Sequence, residues 1–304
     1  KVVNVAVDLN GQPTIQVFGR IRRENEIVLR SVDLGIDEKI RKYSDLRGSA
    51  KLGSGFGIVK AALAFAGFSP EFHSKSNYSS LSEQLRREMG GGIELSMVCA
   101  VPKGSGLGTS SILAATVLGT LSELCGLRWD NTDVFKRTVA LEQMLTSGGG
   151  WQDQIGGIAG GLKLIKTQPG LEQQPTISWL PSGFFSSAYA NRRILLYYTG
   201  ITRVAYDILG EIVRGLFLNS AGHLSLVDDI ARNALYAGEV IQQNNWDGLC
   251  EAVKRSWRLN QLLDSGTNPP QVRKIVDGIG DYLSAVKLLG AGGGGFVLLF
   301  VPPE

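Results

Sequence analysis

The stretch Pro102-Lys-Gly-Ser-Gly-Leu-Gly-Thr-Ser-Ser111 decides how this sequence is interpreted. It follows an apolar run, Gly92–Val101, that predicts a buried strand, and it leads into a run from Thr109 to Leu124 with apolar residues at helical spacing. Small residues leave backbone N–H groups uncovered, and a helix that begins here adds free N–H groups and the positive end of its dipole. The sequence therefore predicts a cradle for polyphosphate. A glycine-rich turn with Thr109 as an ordinary helix cap is the alternative.

Two common phosphate loops do not fit this stretch. In a Walker A loop the lysine follows the glycines, whereas Lys103 precedes them. The dinucleotide pattern G-x-G-x-x-G fails because Thr109 stands at the third glycine position. A second glycine run, Gly290–Gly295, does match that pattern, but a predicted strand follows it where a helix is required. On its own this run indicates only a turn that lets two elements pack closely.

Two carboxylates downstream of the cradle suit phosphoryl transfer. Glu142 lies near the end of a predicted helix, Asn131–Leu145, with Asn131 or Thr132 as its cap, and Asp153 follows beyond a flexible glycine-rich turn. One carboxylate can hold a metal ion while the other orients or deprotonates an acceptor hydroxyl. Spacing alone leaves open that the two are a solvated glutamate and a turn aspartate.

Composition narrows the class of protein. The 304 residues are 43% hydrophobic with a formal net charge of +3, so no nucleic-acid footprint is indicated. No apolar run approaches the ~18 residues of a membrane span, and no signal peptide is recognisable, so we expect a cytoplasmic location and no membrane partner. Two isolated histidines, His73 and His223, do not indicate a Ser-His or Cys-His mechanism. The three widely spaced cysteines predict reduced, mostly buried thiols.

The order of predicted elements favours an α+β fold. Val2–Leu9 and two further short runs read as strands, with a hairpin turn at Asn10-Gly11. The region from Val204 to about Val276 reads as helical, and Phe296–Val301 as a closing strand. Strands and helices alternate only partly, which argues against a doubly wound sheet. The polar stretch Gln168–Gln174 is the best linker candidate.

Several motifs resemble those of a known family. Pro-x-Gly-x-Gly-Leu-Gly-Thr-Ser is similar to the phosphate loop of the GHMP kinases, which include galactokinase and mevalonate kinase, and Gly290–Gly295 resembles their C-terminal glycine motif. Leu141-Glu-Gln-Met-Leu, Gly148-Gly-Gly-Trp-Gln-Asp-Gln and Tyr197-Tyr-Thr-Gly-Ile-Thr-Arg203 resemble the L-fucokinases, including the kinase half of the bifunctional fucokinase/GDP-fucose pyrophosphorylases. The likeness runs nearly end to end. It implies the two-lobed GHMP fold, with a ribosomal-protein-S5-like lobe over 1–175 and a ferredoxin-like lobe over 176–304.

The resemblance implies an activity and a set of site residues. An L-fucokinase transfers the γ-phosphate of ATP, with Mg²⁺, to the anomeric hydroxyl of L-fucose. By matching position, Asp153 would be the catalytic aspartate, and Ser110 and Glu142 the Mg²⁺ ligands. The sugar would be bordered by Trp151 and Gln152, and Arg203 would reach the substrates from the second half. The nucleotide would be bound by Lys103, Gly104, Ser105, Gly106, Leu107, Gly108, Thr109 and Ser111, with Gly292, Gly293 and Gly294 supporting that loop.

The sequence departs from the family at both ends. An earlier motif, Arg-x-Asp-Leu-Ala-Gly-Gly-Trp-x-Asp, and the family's last helix and strand are absent, so we expect an internal stretch of a longer protein, with room for a fused pyrophosphorylase. Two alternatives stay open. A manno-heptose phosphate kinase would share Gln-Asp-Gln and Tyr-Thr-Gly but usually lacks the Gly-Gly-Gly-Trp run. A catalytically silent sugar sensor is disfavoured by the presence of Asp153, Glu142 and Ser110.

Overall fold

The chain forms two compact units, each assembled from separate segments. The computed structural model describes residues 1–47, 55–72, 78–145, 150–170, 173–201, 205–218 and 221–303. The first unit consists of Lys1–Ala6, Lys103–Gly108 and Ala159–Glu304, and the second of Val7–Pro102 and Thr109–Ile158. The units differ from the expected lobes 1–175 and 176–304 because the first strand, Val2–Val5, pairs with Leu162–Lys166.

The helices and strands are numbered in chain order. The strands are β1 Val2–Val5, β2 Asp8–Leu9, β3 Gln12–Pro13, β4 Ile15–Arg22, β5 Ile27–Ser31, β6 Ile36–Ile40, β7 Gly92–Cys99, β8 Leu162–Lys166, β9 Thr176–Trp179, β10 Ile194–Tyr198, β11 Ala285–Leu288 and β12 Phe296–Phe300. The helices are α1 Tyr43–Leu46, α2 Gly57–Leu63, α3 Leu81–Met89, α4 Thr109–Leu124, α5 Asn131–Met144, α6 Gln152–Ile158, α7 Gly183–Ser186, α8 Ala188–Asn191, α9 Ala205–Phe217, α10 Ala221–Gln242, α11 Trp246–Leu263 and α12 Pro270–Ile279.

The second unit is built on a four-stranded sheet in the order β4-β7-β5-β6. Strands β5 and β7 run parallel, and the other two pairings are antiparallel. Alternate residues of β5 and β7, such as Leu29 and Leu95, are buried in one core, which also receives Leu118 and Leu121 of α4. Helix α4 lies so close to β4 that a Cβ added to Gly19 would be 2.9 Å from the Thr120 side chain. This packing fixes the helix that follows the predicted cradle.

Several predicted elements of the second unit are confirmed, with local corrections. Helix α4 has the predicted bounds, and Asn10-Gly11 forms the β2–β3 turn with both residues at positive φ. The predicted strand Val2–Leu9 is divided, since β1 pairs within the first unit and β2 within the second. The cap of α5 is Asp130, one residue before the predicted cap, and its side chain accepts a 2.8 Å hydrogen bond from the Asp133 N–H.

The first unit contains two antiparallel sheets, β1-β8-β9 and β10-β12-β11. Helices α10 and α11 contribute Ile241 and Trp246 to a core that also holds Leu164 of β8 and Phe300 of β12. The stretch Gln168–Gln174, expected to be a linker, connects the paired strands β8 and β9, so it lies within this unit. Residues 171 and 172 of that stretch fall outside the described residues.

One lysine of the first unit is fully buried. The Lys163 side chain on β8 has no exposed surface, and its Nζ donates to the carbonyls of Gly161 at 3.2 Å and Gly160 at 3.4 Å. Desolvation lowers the pKa of Lys163 to about 8. Carbonyl dipoles therefore stabilise this ammonium group only in part.

The thiols agree with the prediction from the sequence. Cys250 is buried, Cys99 and Cys125 are half-buried, and none of the three forms a disulfide. Among the helices in the described part of the chain, none combines the length and apolar composition needed to cross a membrane.

Candidate active site

The predicted phosphate loop packs directly against the second glycine run. Both belong to the first unit. The Phe296 N–H at the start of β12 donates a 2.9 Å hydrogen bond to the Ser105 carbonyl. A Cβ added to Gly295 would lie 2.3 Å from the same carbonyl oxygen. A Cβ added to Gly106, which has φ +76°, would lie 2.7 Å from the Leu289 carbonyl oxygen. Only glycine allows this approach, because any side chain would overlap the facing backbone.

The middle of the second glycine run contacts two other segments, at Thr267 and at Ile201. The Gly293 N–H donates to the Thr267 carbonyl at 2.9 Å, and a Cβ on Gly292 would lie 2.6 Å from the Thr267 methyl group. A Cβ on Gly294 would lie 2.3 Å from the Ile201 carbonyl oxygen. Of the run, Gly290 and Gly295 face the loop, while the three predicted supporting glycines contact Thr267 and Ile201. Their influence on the loop would therefore be exerted through the run as a whole.

The loop residues differ in accessibility. Lys103 and Gly104 are exposed, whereas Gly106, Leu107, Gly108 and Thr109 are half-buried. Ser105 is fully buried, and its Oγ makes no hydrogen bond within the described part of the chain. A buried polar atom without a partner costs ~1–3 kcal/mol. The buried Ser105 hydroxyl is therefore an energetic cost within the loop.

The two predicted carboxylates lie in the second unit, on adjacent helices. Glu142 is the third-last residue of α5 and is buried, and Asp153 is in the first turn of α6. The flexible turn predicted before Asp153 lies mostly outside the described residues, at 146–149, and the helix that contains Asp153 was not predicted. Residues Gln152–Ile158 are helical despite their two glycines, because α6 packs closely on α4: a Cβ on Gly157 would lie 2.6 Å from Ile112 Cγ1. The tertiary contact outweighs the weak helix propensity of glycine.

The pKa values of both carboxyl groups are raised above those of ordinary acids. Desolvation raises the pKa of Glu142; hydrogen bonds from Ser111 and Gln154 lower it, and the charge of Asp153 raises it further. Desolvation by surrounding protein also raises the pKa of Asp153, although its side chain is open to solvent. Asp153 is therefore accessible to solvent, and the protein packed around its carboxylate is what raises its pKa. Two acids with raised pKa values so close together are typical of functional sites.

The other predicted site residues are placed as follows. Ser110 is exposed in the first turn of α4, and it is the next residue, Ser111, that is buried and donates to Glu142. Trp151 is half-buried and Gln152 is exposed, both at the start of α6. Arg203 lies outside the described residues.

The sequence analysis did not assign Gln154 to the site. Its side chain is 1% exposed, and its amide nitrogen donates to the Glu142 carboxylate. The signal available in the sequence was its place in Trp-Gln-Asp-Gln, directly after the predicted catalytic aspartate.

Known sequences are similar to this chain along nearly all of its length. A family model described as the GHMP kinases N terminal domain matches residues 77–161. The chain is 49% identical over 298 residues to a Bacteroides fragilis L-fucokinase/L-fucose-1-P guanylyltransferase, covering 98% of this chain and 31% of that protein. It is 30% identical to an Arabidopsis thaliana bifunctional fucokinase/GDP-fucose pyrophosphorylase, covering 98% and 27%. A Campylobacter jejuni D-glycero-alpha-D-manno-heptose 7-phosphate kinase is 28% identical over 205 residues, covering 67% and 59%.

Comparison with solved structures decides the fold. Streptococcus pneumoniae phosphomevalonate kinase superposes with a TM-score of 0.66 at 16% identity, covering 94% of this chain and 83% of that one. The chain has the GHMP kinase fold. The α+β, two-lobed GHMP architecture expected from the motifs is thus confirmed, as is the resemblance to the L-fucokinases. The chain spans less than a third of the two bifunctional relatives, at 31% and 27% of their lengths.

Proposed function

We propose that this chain is the kinase part of an L-fucokinase, which transfers the ATP γ-phosphate to the C1 hydroxyl of L-fucose. The C1 oxygen forms the new bond to the γ-phosphorus as the bond from that phosphorus to the β–γ bridging oxygen breaks. Asp153 receives or orients the C1 proton, since its carboxylate is accessible and no histidine motif competes for the role. Trp151, Gln152 and Arg203 are proposed to border the sugar.

The nucleotide is assigned to the loop Lys103–Gly108 and to Thr109 and Ser111. The proposal is supported by the short glycine-rich loop before helix α4, in which Gly106 has no room for a Cβ, and by the free N–H groups at the start of that helix. Gly292, Gly293 and Gly294 are proposed to hold the loop in place through the second glycine run.

The residues present also fit a magnesium ion. Mg²⁺ usually binds to one or two protein oxygens together with substrate phosphates and water, so a site with few protein ligands is expected. In the described part of the chain no three His, Cys, Asp or Glu side chains cluster as an all-protein metal cage. Glu142 and Ser110 would hold the ion, with Ser111 and Gln154 donating to the Glu142 carboxylate. When bound, Mg²⁺ would neutralise charge on the transferred phosphate.

The observation that carries the proposal is the 49% identity to the Bacteroides fragilis protein along nearly all of this chain. The Gly-Gly-Gly-Trp run before Gln-Asp-Gln supports the same substrate. A guanylyltransferase region elsewhere in the same polypeptide is a further part of the proposal, as is a cytoplasmic location.

A phosphate-transfer assay tests the proposal. The full-length protein would be incubated with radiolabelled ATP·Mg and, separately, L-fucose, D-galactose, mevalonate and D-glycero-D-manno-heptose 7-phosphate. We expect transfer to L-fucose, with a product that loses its phosphate in mild acid and has no reducing end, as an anomeric phosphate requires. An acid-stable product, or fucose turnover no faster than with galactose, would refute the assignment.

A heptose phosphate kinase is the second candidate. It is supported by the 28% identity to the Campylobacter jejuni enzyme over 67% of this chain. The same panel separates the two, because this candidate predicts labelling of the heptose phosphate and none of free L-fucose.

A further inference from the structure

Gln154 is a buried residue that directly follows one of the two carboxylates in sequence and contacts the other in space. It follows Asp153 in α6, and its side-chain amide nitrogen donates to Glu142 of α5. The side chain is 1% exposed, so the amide is removed from water. Its Oε1 is also buried and forms no hydrogen bond within the residues that the structure describes.

Packing alone does not account for a glutamine at this position. A buried amide oxygen without a partner costs ~1–3 kcal/mol, and a leucine of similar volume would avoid that cost. The neighbouring Ile155 is a buried apolar residue of the same helix, so the local environment accepts hydrocarbon. We therefore explain the amide by its hydrogen bond to Glu142.

Glu142 receives neutral hydrogen-bond donors from two different helices. Ser111 of α4 donates a hydroxyl, and Gln154 of α6 donates an amide N–H. Two donors fix the orientation of a carboxylate that could otherwise rotate about several bonds. Because both donors are uncharged, they stabilise the negative charge without cancelling it, as a lysine or arginine would. A carboxylate held by these two donors is fixed in orientation.

We propose that Gln154 is a positioning residue that orients Glu142 toward a divalent cation. The inference rests on the proposed function, which assigns that cation to the nucleotide phosphates. Its Oε1 is then free to accept a hydrogen bond from a water on the ion, since Mg²⁺ keeps several waters when bound. Gln154 itself contacts neither the sugar nor the transferred phosphate in this role.

The test compares Gln154→Leu with Gln143→Leu in the full-length protein. Gln143 is the exposed neighbour of Glu142 on the same helix, so its variant controls for loss of an amide near the site. Mn²⁺ binding in the presence of the non-hydrolysable analogue AMPPNP would be measured by calorimetry, together with the Mg²⁺ dependence of turnover. We expect Gln154→Leu to weaken Mn²⁺ by ~10–100-fold, the range for residues that orient metal ligands, with KM for L-fucose within about twofold at saturating Mg²⁺. Gln143→Leu should resemble wild type.

Two further measurements keep the test decisive. Gln154→Asn retains the amide on a shorter side chain that cannot reach Glu142 in the same way, so it should also weaken Mn²⁺. In a Glu142→Gln background, Gln154→Leu should have little added effect on Mn²⁺, because the two residues act as one unit. A lower melting temperature with unchanged Mn²⁺ affinity in both Gln154 variants would mean that Gln154 is structural, and the proposal would fail. If wild type binds no Mn²⁺–AMPPNP, the kinase proposal itself fails; if it binds but phosphorylates another acceptor, only the sugar assignment does.

Discussion

The contact between Gly106 and the second glycine run predicts a measurable cost for a single methyl group. In Gly106→Ala the new Cβ would meet the Leu289 carbonyl oxygen at 2.7 Å, where a relaxed contact needs more space. The backbone at Gly106 has φ +76°, which costs an L-residue roughly 1–2 kcal/mol. Forcing the facing backbone to move adds about 1–3 kcal/mol, typical of overpacking. The expected loss in the free energy of unfolding is therefore on the order of 2–5 kcal/mol.

Gly200→Ala provides the matched control. Gly200 belongs to the same unit and has φ +70°, but a Cβ there would have no atom of the described residues within 4 Å. Its loss should be limited to the backbone term of roughly 1–2 kcal/mol. At about 2–4 °C per kcal/mol, Gly106→Ala should lower the melting temperature by ~4–20 °C and Gly200→Ala by ~2–8 °C.

Calorimetric titration of folded Gly106→Ala with ATP·Mg completes the experiment. Displacement of the loop from Leu289 should move its N–H groups out of place and weaken ATP by at least about tenfold. Equal melting temperatures for the two alanine variants would show that the close contact is not important for stability. Wild-type ATP affinity in a destabilised Gly106→Ala would refute the reasoning that links the loop to the nucleotide.

Three further predictions concern buried or desolvated charges. Asp153→Asn should slow turnover by ~10²–10⁴-fold while ATP affinity and melting temperature are maintained; turnover within threefold of wild type would exclude Asp153 as the base. Because the pKa of Asp153 is raised, the deprotonated form and kcat/KM should also decline at a higher pH than for an ordinary aspartate. Glu142→Gln should raise the Mg²⁺ concentration for half-maximal activity, since an amide is a poorer ligand for a hard cation; an unchanged Mg²⁺ curve would remove Glu142 from the metal site. Finally, the unfolded chain binds the Lys163 proton more tightly than the native protein, so stability should rise between pH 8 and about 10.4, by up to about 3 kcal/mol for this group. Lys163→Met should remove that rise, and identical pH profiles of unfolding for variant and wild type would contradict it.

Helices and strands with a clear pattern of apolar residues were predictable from the sequence. Helix α4 has the predicted bounds, and the predicted strand Phe296–Val301 differs from β12 by one residue. For these two elements the local sequence was enough, because the spacing of apolar residues and the flanking glycines indicated the same bounds. The cap of α5 was misplaced by one residue, since Asp130, Asn131 and Thr132 are all suitable caps and only the backbone distinguishes them.

The site was predictable only in its motifs. The phosphate loop and both carboxylates follow from residue types in sequence order, whereas helix α6 does not. Its glycines argue against a helix until the approach of Ile112 is known. Gln154 was missed for a related reason, because its partner Glu142 belongs to another helix and no spacing rule joins them. Contacts between elements, rather than preferences within them, supply this part of the site.

The discontinuous first unit has a consequence for the order in which the protein can fold. Residues 7–102 and 109–158 complete the second unit, so it can form once the ribosome has released about half of the chain. Strand β1 must wait for β8, with Val2 opposite Ile165, and the Ser105 carbonyl must wait for Phe296. Such distant partners make closure slow, because the chain entropy is lost before the contacts form. During synthesis the phosphate loop would thus remain without its facing backbone until β12 emerges. Nucleotide affinity should accordingly be acquired only after β12 has been synthesised.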